Sequence, residues 1–275
     1  LLFLAVPLET YVDQLEPEIR DAVIWRFMKM EKFRYLMTTG ELYFCRADLF
    51  TNDVREGLPP EEYLPAFGLH PLDVLDRQQL CHHIGSYAQF REGFYVSCWH
   101  LFRDETCNMW KQYGEDGVAI CSYYRLLKTA LDGMDDRAYL GLVRYGAQHI
   151  PTWDRANLFR YITTKRVEYA SEREVRAFLW IGDPLAGINR HIDNDNRIHP
   201  LPLTPPPDRV SKGERRKIDL QALVTEIVVT PWASSTTVDE INALVKNNGY
   251  TIPVHASELT RYRELLPYSP AAVYP

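Results

Sequence analysis

The chain has 275 residues, 25% charged and 46% hydrophobic, with a formal net charge of -6. These are ordinary globular proportions in a chain long enough to bury a large core, which excludes bulk disorder. The acidic balance argues against a general nucleic-acid binder, which shows a basic face. Five cysteines (Cys45, Cys81, Cys98, Cys107 and Cys121) form no metal-type pairs and read as reduced, mostly buried thiols of a cytoplasmic protein. The opening Leu1–Val6 run is too short to span a bilayer, so no membrane partner is expected.

In chain order, 1–16 reads as an N-terminal extension and 17–270 as a single α+β domain. A turn over Pro17–Val23 leads into the apolar run Ile24-Trp25-Arg26-Phe27, read as a strand interrupted by an arginine. Met30, Phe33, Leu36 and Met37 recur at helical spacing, with Gly40 where a C-terminal cap belongs. Leu42–Cys45 predicts a buried strand entering the polar loop 51–60, and 61–91 a broken helix. Phe94–Trp99 predicts a strand, Met109, Trp110 and Tyr113 a short helix closed by Gly114, and Val118–Ser122 another strand. Tyr124, Leu127 and Leu131 mark a helix ended by Gly133. A strand is expected over Tyr139–Tyr145, a helix over Trp153–Lys165 and a strand over Glu172–Ile181. The Pro-rich stretch 183–217 reads as a loop insertion, the kind that serves as a lid or binding loop. A strand (Leu223–Thr230), a helix (Thr237–Lys246) and a strand (Thr251–Val254) close the chain.

Side chains at i, i+2 and i+4 of a strand share a face, which would align Glu172, Glu174 and Arg176 opposite Val175, Ala177 and Leu179. Two carboxylates about 7 Å apart beside a guanidinium can hold a hydroxylated or charged ligand; the structural alternative is a solvated Glu–Arg ladder. Arg26 needs an anion, because an unpaired buried charge is costly. That anion is either Glu172 or Glu174, or a ligand phosphate. Asn52, Asp53 and Glu56 form either a turn cap or a pocket wall. His82-His83 has no third metal ligand at sensible spacing, and the cluster Lys212, Arg215, Arg216, Lys217 reads as a solvated loop face. Met109, Trp110 and Tyr113 read as core. No Walker loop, dinucleotide fingerprint, nucleophile elbow or Cys-x-x-Cys is present.

The segments Trp25-Arg26-Phe27, Gly40-Glu41-Leu42-Tyr43-Phe44, Phe50-Thr51-Asn52-Asp53-x-x-Glu56-Gly57, Val96-Ser97-Cys98-Trp99, Met109-Trp110-x-x-Tyr113-Gly114-x-x-Gly117-Val118-Ala119-Ile120 and Glu172-x-Glu174-x-Arg176 occur in this order. Together, over Ile24–Leu259, they resemble the bacterial family catalogued as domain of unknown function 2971. Their order also looks like the ADP-ribosyltransferase fold, a mixed, mainly antiparallel split sheet with flanking helices. That resemblance implies NAD as substrate, with no metal. It implies Glu174 on a ribose hydroxyl, Glu172 orienting or deprotonating the acceptor, Arg26 on the pyrophosphate and Tyr43 stacked on nicotinamide. Cys45 stands where a serine is more usual, Val54 where a proline is expected, and Asn52, Asp53 and Arg176 complete the nucleotide site. The implied activity is ADP-ribosyl transfer or NAD hydrolysis, as in a toxin or defence effector, on an acceptor that is protein, nucleic acid or water. Two other readings remain. One is a metal-dependent phosphodiesterase or nuclease with Asp53, Glu56, Glu172 and Glu174 as ligands of Mg²⁺ or Mn²⁺. The other is a non-catalytic module that senses a ligand.

Overall fold

The computed structural model describes residues 19–50, 53, 55–58, 91–146, 158–181, 191–192, 198–199 and 211–265. They form a mixed α+β fold around a largely antiparallel open sheet. In chain order the elements are β1 (Val23–Lys29), α1 (Met30–Thr39), β2 (Glu41–Arg46), β3 (Phe94–Leu101), β4 (Gly117–Tyr123), α2 (Tyr124–Asp132), β5 (Ala138–Leu142), β6 (Arg144–Tyr145), α3 (Leu158–Ile162), β7 (Thr164–Lys165), β8 (Glu174–Trp180), β9 (His191–Ile192), β10 (Ile198–His199), β11 (Gly213–Lys217), α4 (Leu220–Leu223), β12 (Glu226–Val229), α5 (Ser235–Asn247) and β13 (Val254–Ala256). The main sheet runs β11-β2-β3-β1-β4-β12-β13, with β8 on the other edge of β3 and β5 beyond it. β12 and β13 are parallel; the other pairs of this sheet are antiparallel.

The helices form where a buried stripe and a stop signal coincide. In α1, Phe33, Leu36 and Met37 face inward and Gly40, at φ 65°, caps the end by donating its N–H to Leu36 O at 2.8 Å. α2 buries Tyr124, Leu127 and Leu131; α5 starts where Ser234 Oγ accepts the Thr237 N–H at 3.2 Å and buries Ile241 and Val245. These helices pack with Ile24, Met28, Trp99, Ile120, Val175, Ala177 and Leu179 on one face of the sheet. The opposite face holds two smaller clusters. Trp25, Phe27, Ala119 and Val228 meet Met109 and Trp110 in one, and Phe94, Val96 and Phe178 meet Phe159 and Ile162 in the other. Between them, on the same alternating positions of β3 and β8, lie Cys98, His100, Glu174 and Arg176. A polar site thus interrupts an otherwise apolar face.

The sheet forks at β3. One edge of β3 pairs with β1 at Trp25↔His100 and Ile24↔Leu101, and with β2 at Cys45↔Val96 and Arg46↔Tyr95. Beyond these short ladders β1 and β2 diverge without pairing to each other. β1 is anchored instead along its full length to β4, ending at Lys29↔Gly117. A Cβ at Gly117 would collide with the Met28 carbonyl and the Lys29 Cα. Gly117→Ala is therefore expected to cost about 1–3 kcal/mol by forcing the end of β1 away. A denaturant midpoint unchanged from wild type would contradict this register.

Several expectations need correction. The helix expected up to Lys165 ends at Ile162, and Lys165 sits in β7. The part of the Pro-rich insertion over 213–217 is a strand on the β2 edge, so Arg215, Arg216 and Lys217 are not loop residues. The last strand begins at Val254 rather than Thr251, where pairing with β12 starts. Glu172 ends a 3-10 turn (Val167–Glu172), and Arg173 turns left-handed at φ 43° before β8 begins at Glu174. Of the described cysteines, all free thiols, Cys121 is buried and Cys45, Cys98 and Cys107 are half-buried. The extension 1–16, Asn52, His82-His83, Cys81 and most of 183–210 lie outside the described residues.

Candidate functional site

A cleft of about 980 Å³ opens at the fork, lined on one side by Arg26, Tyr43, Cys45 and α1 residues and on the other by Cys98, His100, Glu174, Arg176, Lys165 and Glu56. Its volume is at the upper end of the range for sites that hold a cofactor-sized molecule. The fork explains how Arg26 reaches it. Arg26 shares the face of Trp99, whose ring it overlies at 5.9 Å, and extends across the gap to donate Nη2 to Tyr43 O at 2.9 Å. That carbonyl lies where β2 has no strand partner on its inner edge, so the guanidinium bridges the two diverging strands. Among the described residues Arg26 has no carboxylate partner. Desolvation lowers its pKa to about 10, slightly offset by Cys98 and Cys45.

The opposite wall is a buried ion network. Arg176 donates Nε to Glu174 Oε1 and Nη2 to Glu174 Oε2, both at 2.8 Å, Nη1 to Ile162 O at 2.5 Å, and Nη2 also to Glu56 Oε1. Lys165 Nζ lies 2.6 Å from Glu172 Oε2, 3.4 Å from Glu174 Oε2 and 3.7 Å from Glu56 Oε2. Glu56, Lys165, Glu172, Glu174 and Arg176 are all at most 7% exposed. Three carboxylates thus surround two cations. Burial alone would raise the Glu174 pKa, but Arg176, aided by Lys165, overrides it and brings the value down to about 2. Burial would likewise depress Lys165, and the carboxylates of Glu174 and Glu56 with the Glu172 bond hold it above its ordinary value instead.

Polar aromatic groups complete the rim. The π-helical turn Trp110–Gly114 buries Trp110 and brings Tyr113 Oη to 3.2 Å from Glu172 Oε1, with Gln112 Nε2 at 3.3 Å. Burial, with the Glu172 charge beside it, pushes the Tyr113 phenol well above its ordinary pKa. Burial also pushes the Cys98 thiol far up and the Cys45 thiol up, so neither is an activated nucleophile.

Arg26, on the sheet face of Ile24 and Met28, is opposite to the face that carries Glu174 and Arg176, and the fork lets Arg26, Tyr43, Cys45, Glu174 and Arg176 line one cleft. Glu172 adjoins the network from behind Lys165 rather than from the strand face. Asp53 is buried too, but it receives Arg166 Nε and the Arg55 N–H, each at 3.1 Å, and does not line the cleft. The acidic strand is not the solvated ladder that its spacing alone would suggest, because Glu174 and Arg176 are buried against Ile162, Lys165 and Glu56. The sequence reading singles out neither Lys165 nor His100 and assigns Tyr113 to the core, whereas all three line the cleft; Lys165 hides in a two-residue strand, and Tyr113 follows the buried Met109 and Trp110. The chain matches no family model, no curated protein and no solved structure. No helix among the described residues is long and apolar enough to cross a membrane.

Proposed function

We propose that the cleft binds NAD and cleaves the bond between nicotinamide and ribose, transferring ADP-ribose to water or to a macromolecular acceptor. The observation that carries this reading is that Arg26 and Glu174 line one cleft without neutralising each other. Arg26, which has no carboxylate partner among the described residues, offers its guanidinium for the pyrophosphate. Glu174 is an ionised carboxylate, fixed in place by Arg176, where positive charge would develop on the ribose as the bond breaks. Tyr43 and Tyr113 offer ring surface for planar groups.

A metal-dependent nuclease fits less well. Glu56, Glu172 and Glu174 do gather, but around Lys165 Nζ and the Arg176 guanidinium, which take the place a divalent cation would need; Asp53 turns to Arg166. The ligand-sensing reading gains from one observation: both Glu174 oxygens already accept from Arg176. It predicts NAD affinity that depends on Arg26, with no turnover.

Nicotinamide release from NAD decides between them. Wild-type turnover is expected to persist in EDTA and to fall about 100- to 1,000-fold in Glu174→Gln, the range seen on losing one charge-stabilising group. Thermal melts accompany each variant, and Glu174→Asp, which keeps the charge, is the control for folding. Folded wild-type protein that releases no nicotinamide with water, protein or nucleic acid as acceptor would remove the enzymatic reading.

A further inference from the structure

We propose that His100 is the proton acceptor of this cleft, taking a proton at Nε2 from the hydroxyl or water that attacks the ribose. This rests on the NAD reading and assigns it a base. Glu172, the residue expected in that role, is already committed. Its Oε1 accepts from Tyr113 and Gln112, its Oε2 from Lys165, and it does not line the cleft.

His100 lines the cleft and is 4% exposed. Its Nδ1 lies 3.0 Å from the Glu172 carbonyl oxygen. A carbonyl only accepts, so the ring proton resides on Nδ1 and Nε2 keeps its lone pair. Nε2 has no partner among the described residues, and it is not one of the buried polar atoms sealed off without one. The ring is held on several sides, with Phe27 at 6.1 Å, Phe102 stacked at 6.3 Å and Tyr113 at 5.3 Å between centroids. In the sheet its neighbours are Trp25 on β1 and Glu174 on β8. The charged groups acting on it are Glu174, Glu172 and Lys165. Burial lowers its pKa most, the two carboxylates and the Glu172 carbonyl work against this, and Lys165 adds to it. The imidazole is consequently neutral at neutral pH, as a base must be.

The step balances. The C1′–N bond breaks with its electron pair going to nicotinamide, and the attacking oxygen forms the new bond to C1′. That oxygen's proton passes to Nε2, and the imidazolium then returns it to solvent. NAD and a hydroxyl compound give nicotinamide, the ADP-ribosylated product and one proton.

The test is nicotinamide release by the full chain between pH 5 and 9, for wild type, His100→Gln and His100→Phe. Wild type is expected to lose rate on the acid side of the ordinary imidazole pKa. The variants are expected to lose about 100- to 10,000-fold in kcat, with KM little changed and that acid limb gone. Variants that keep the wild-type kcat, or lose rate but retain the limb, overturn the assignment to His100 while leaving NAD cleavage intact. Absence of wild-type turnover overturns both. A second readout needs no variant to fold. In ¹⁵N-histidine spectra of the wild-type protein, His100 is expected to carry its proton on Nδ1, and a proton on Nε2 would likewise overturn the proposal.

Discussion

Arg176→Met is expected to destabilise the protein by about 3–5 kcal/mol, the cost of leaving buried charges without their partner. The guanidinium is 1% exposed and binds both oxygens of Glu174, Glu56 and the Ile162 carbonyl at once. Without it, Lys165 is the one cation left beside Glu56, Glu172 and Glu174 among the described residues. In wild type the Glu174 pKa lies at about 2, below its ordinary 4.5. Its contribution is therefore fully present above pH 4.5 and lost as pH falls toward 2. In the variant the crowded carboxylates take up protons at higher pH, so the deficit seen at pH 8 shrinks at pH 5. Adding Glu56→Gln should recover part of the loss, because it removes one of the stranded charges. Urea denaturation at the two pH values checks this, and a loss below about 1 kcal/mol would mean that the network is not the keystone of this face.

Arg26→Gln is expected to do the reverse: weaken ligand binding strongly and leave folding intact or improved. Arg26 as a whole is half-buried, yet its guanidinium is deep enough for desolvation to bring its pKa to about 10. A cation whose folded pKa lies below its unfolded value opposes folding at neutral pH. Its removal is expected to return about 1–2 kcal/mol, discounted for partial exposure and for the lost bond to Tyr43 O. NAD affinity should fall about 10- to 200-fold, the worth of a charge-assisted phosphate contact, with Arg26→Lys between the two. Calorimetric titration with NAD alongside thermal melts gives both quantities. Unchanged affinity, or a destabilisation above about 2 kcal/mol, would make Arg26 a structural bridge between β1 and β2 and nothing more.

Local periodicity was enough to locate most elements. The stripe Phe33, Leu36, Met37 before Gly40, the run Phe94–Trp99 and the stop at Gly133 each encode their own structure, because burial and capping act within a few residues. Elements whose partners are distant escaped it. The strand Gly213–Lys217 carries alternating charges that read as loop, and it is a strand because the outer edge of β2 pairs with it. Val167–Glu172 turns instead of extending, so the apparent Glu172–Glu174 ladder does not exist, although Lys165 brings the two carboxylates together again.

The sequence by itself determined that Arg26 would lie in an apolar strand and that Glu174 and Arg176 would share a face, since alternation along one strand settles both. Tertiary structure alone decided which charges neutralise each other. Arg26 was free to pair with the acidic strand, but the fork at β3 holds it across the gap from Glu174, while Lys165 and Arg176 satisfy the carboxylates instead. Pairing of buried charges depends on distances between segments far apart in the chain, and only the packed sheet sets them.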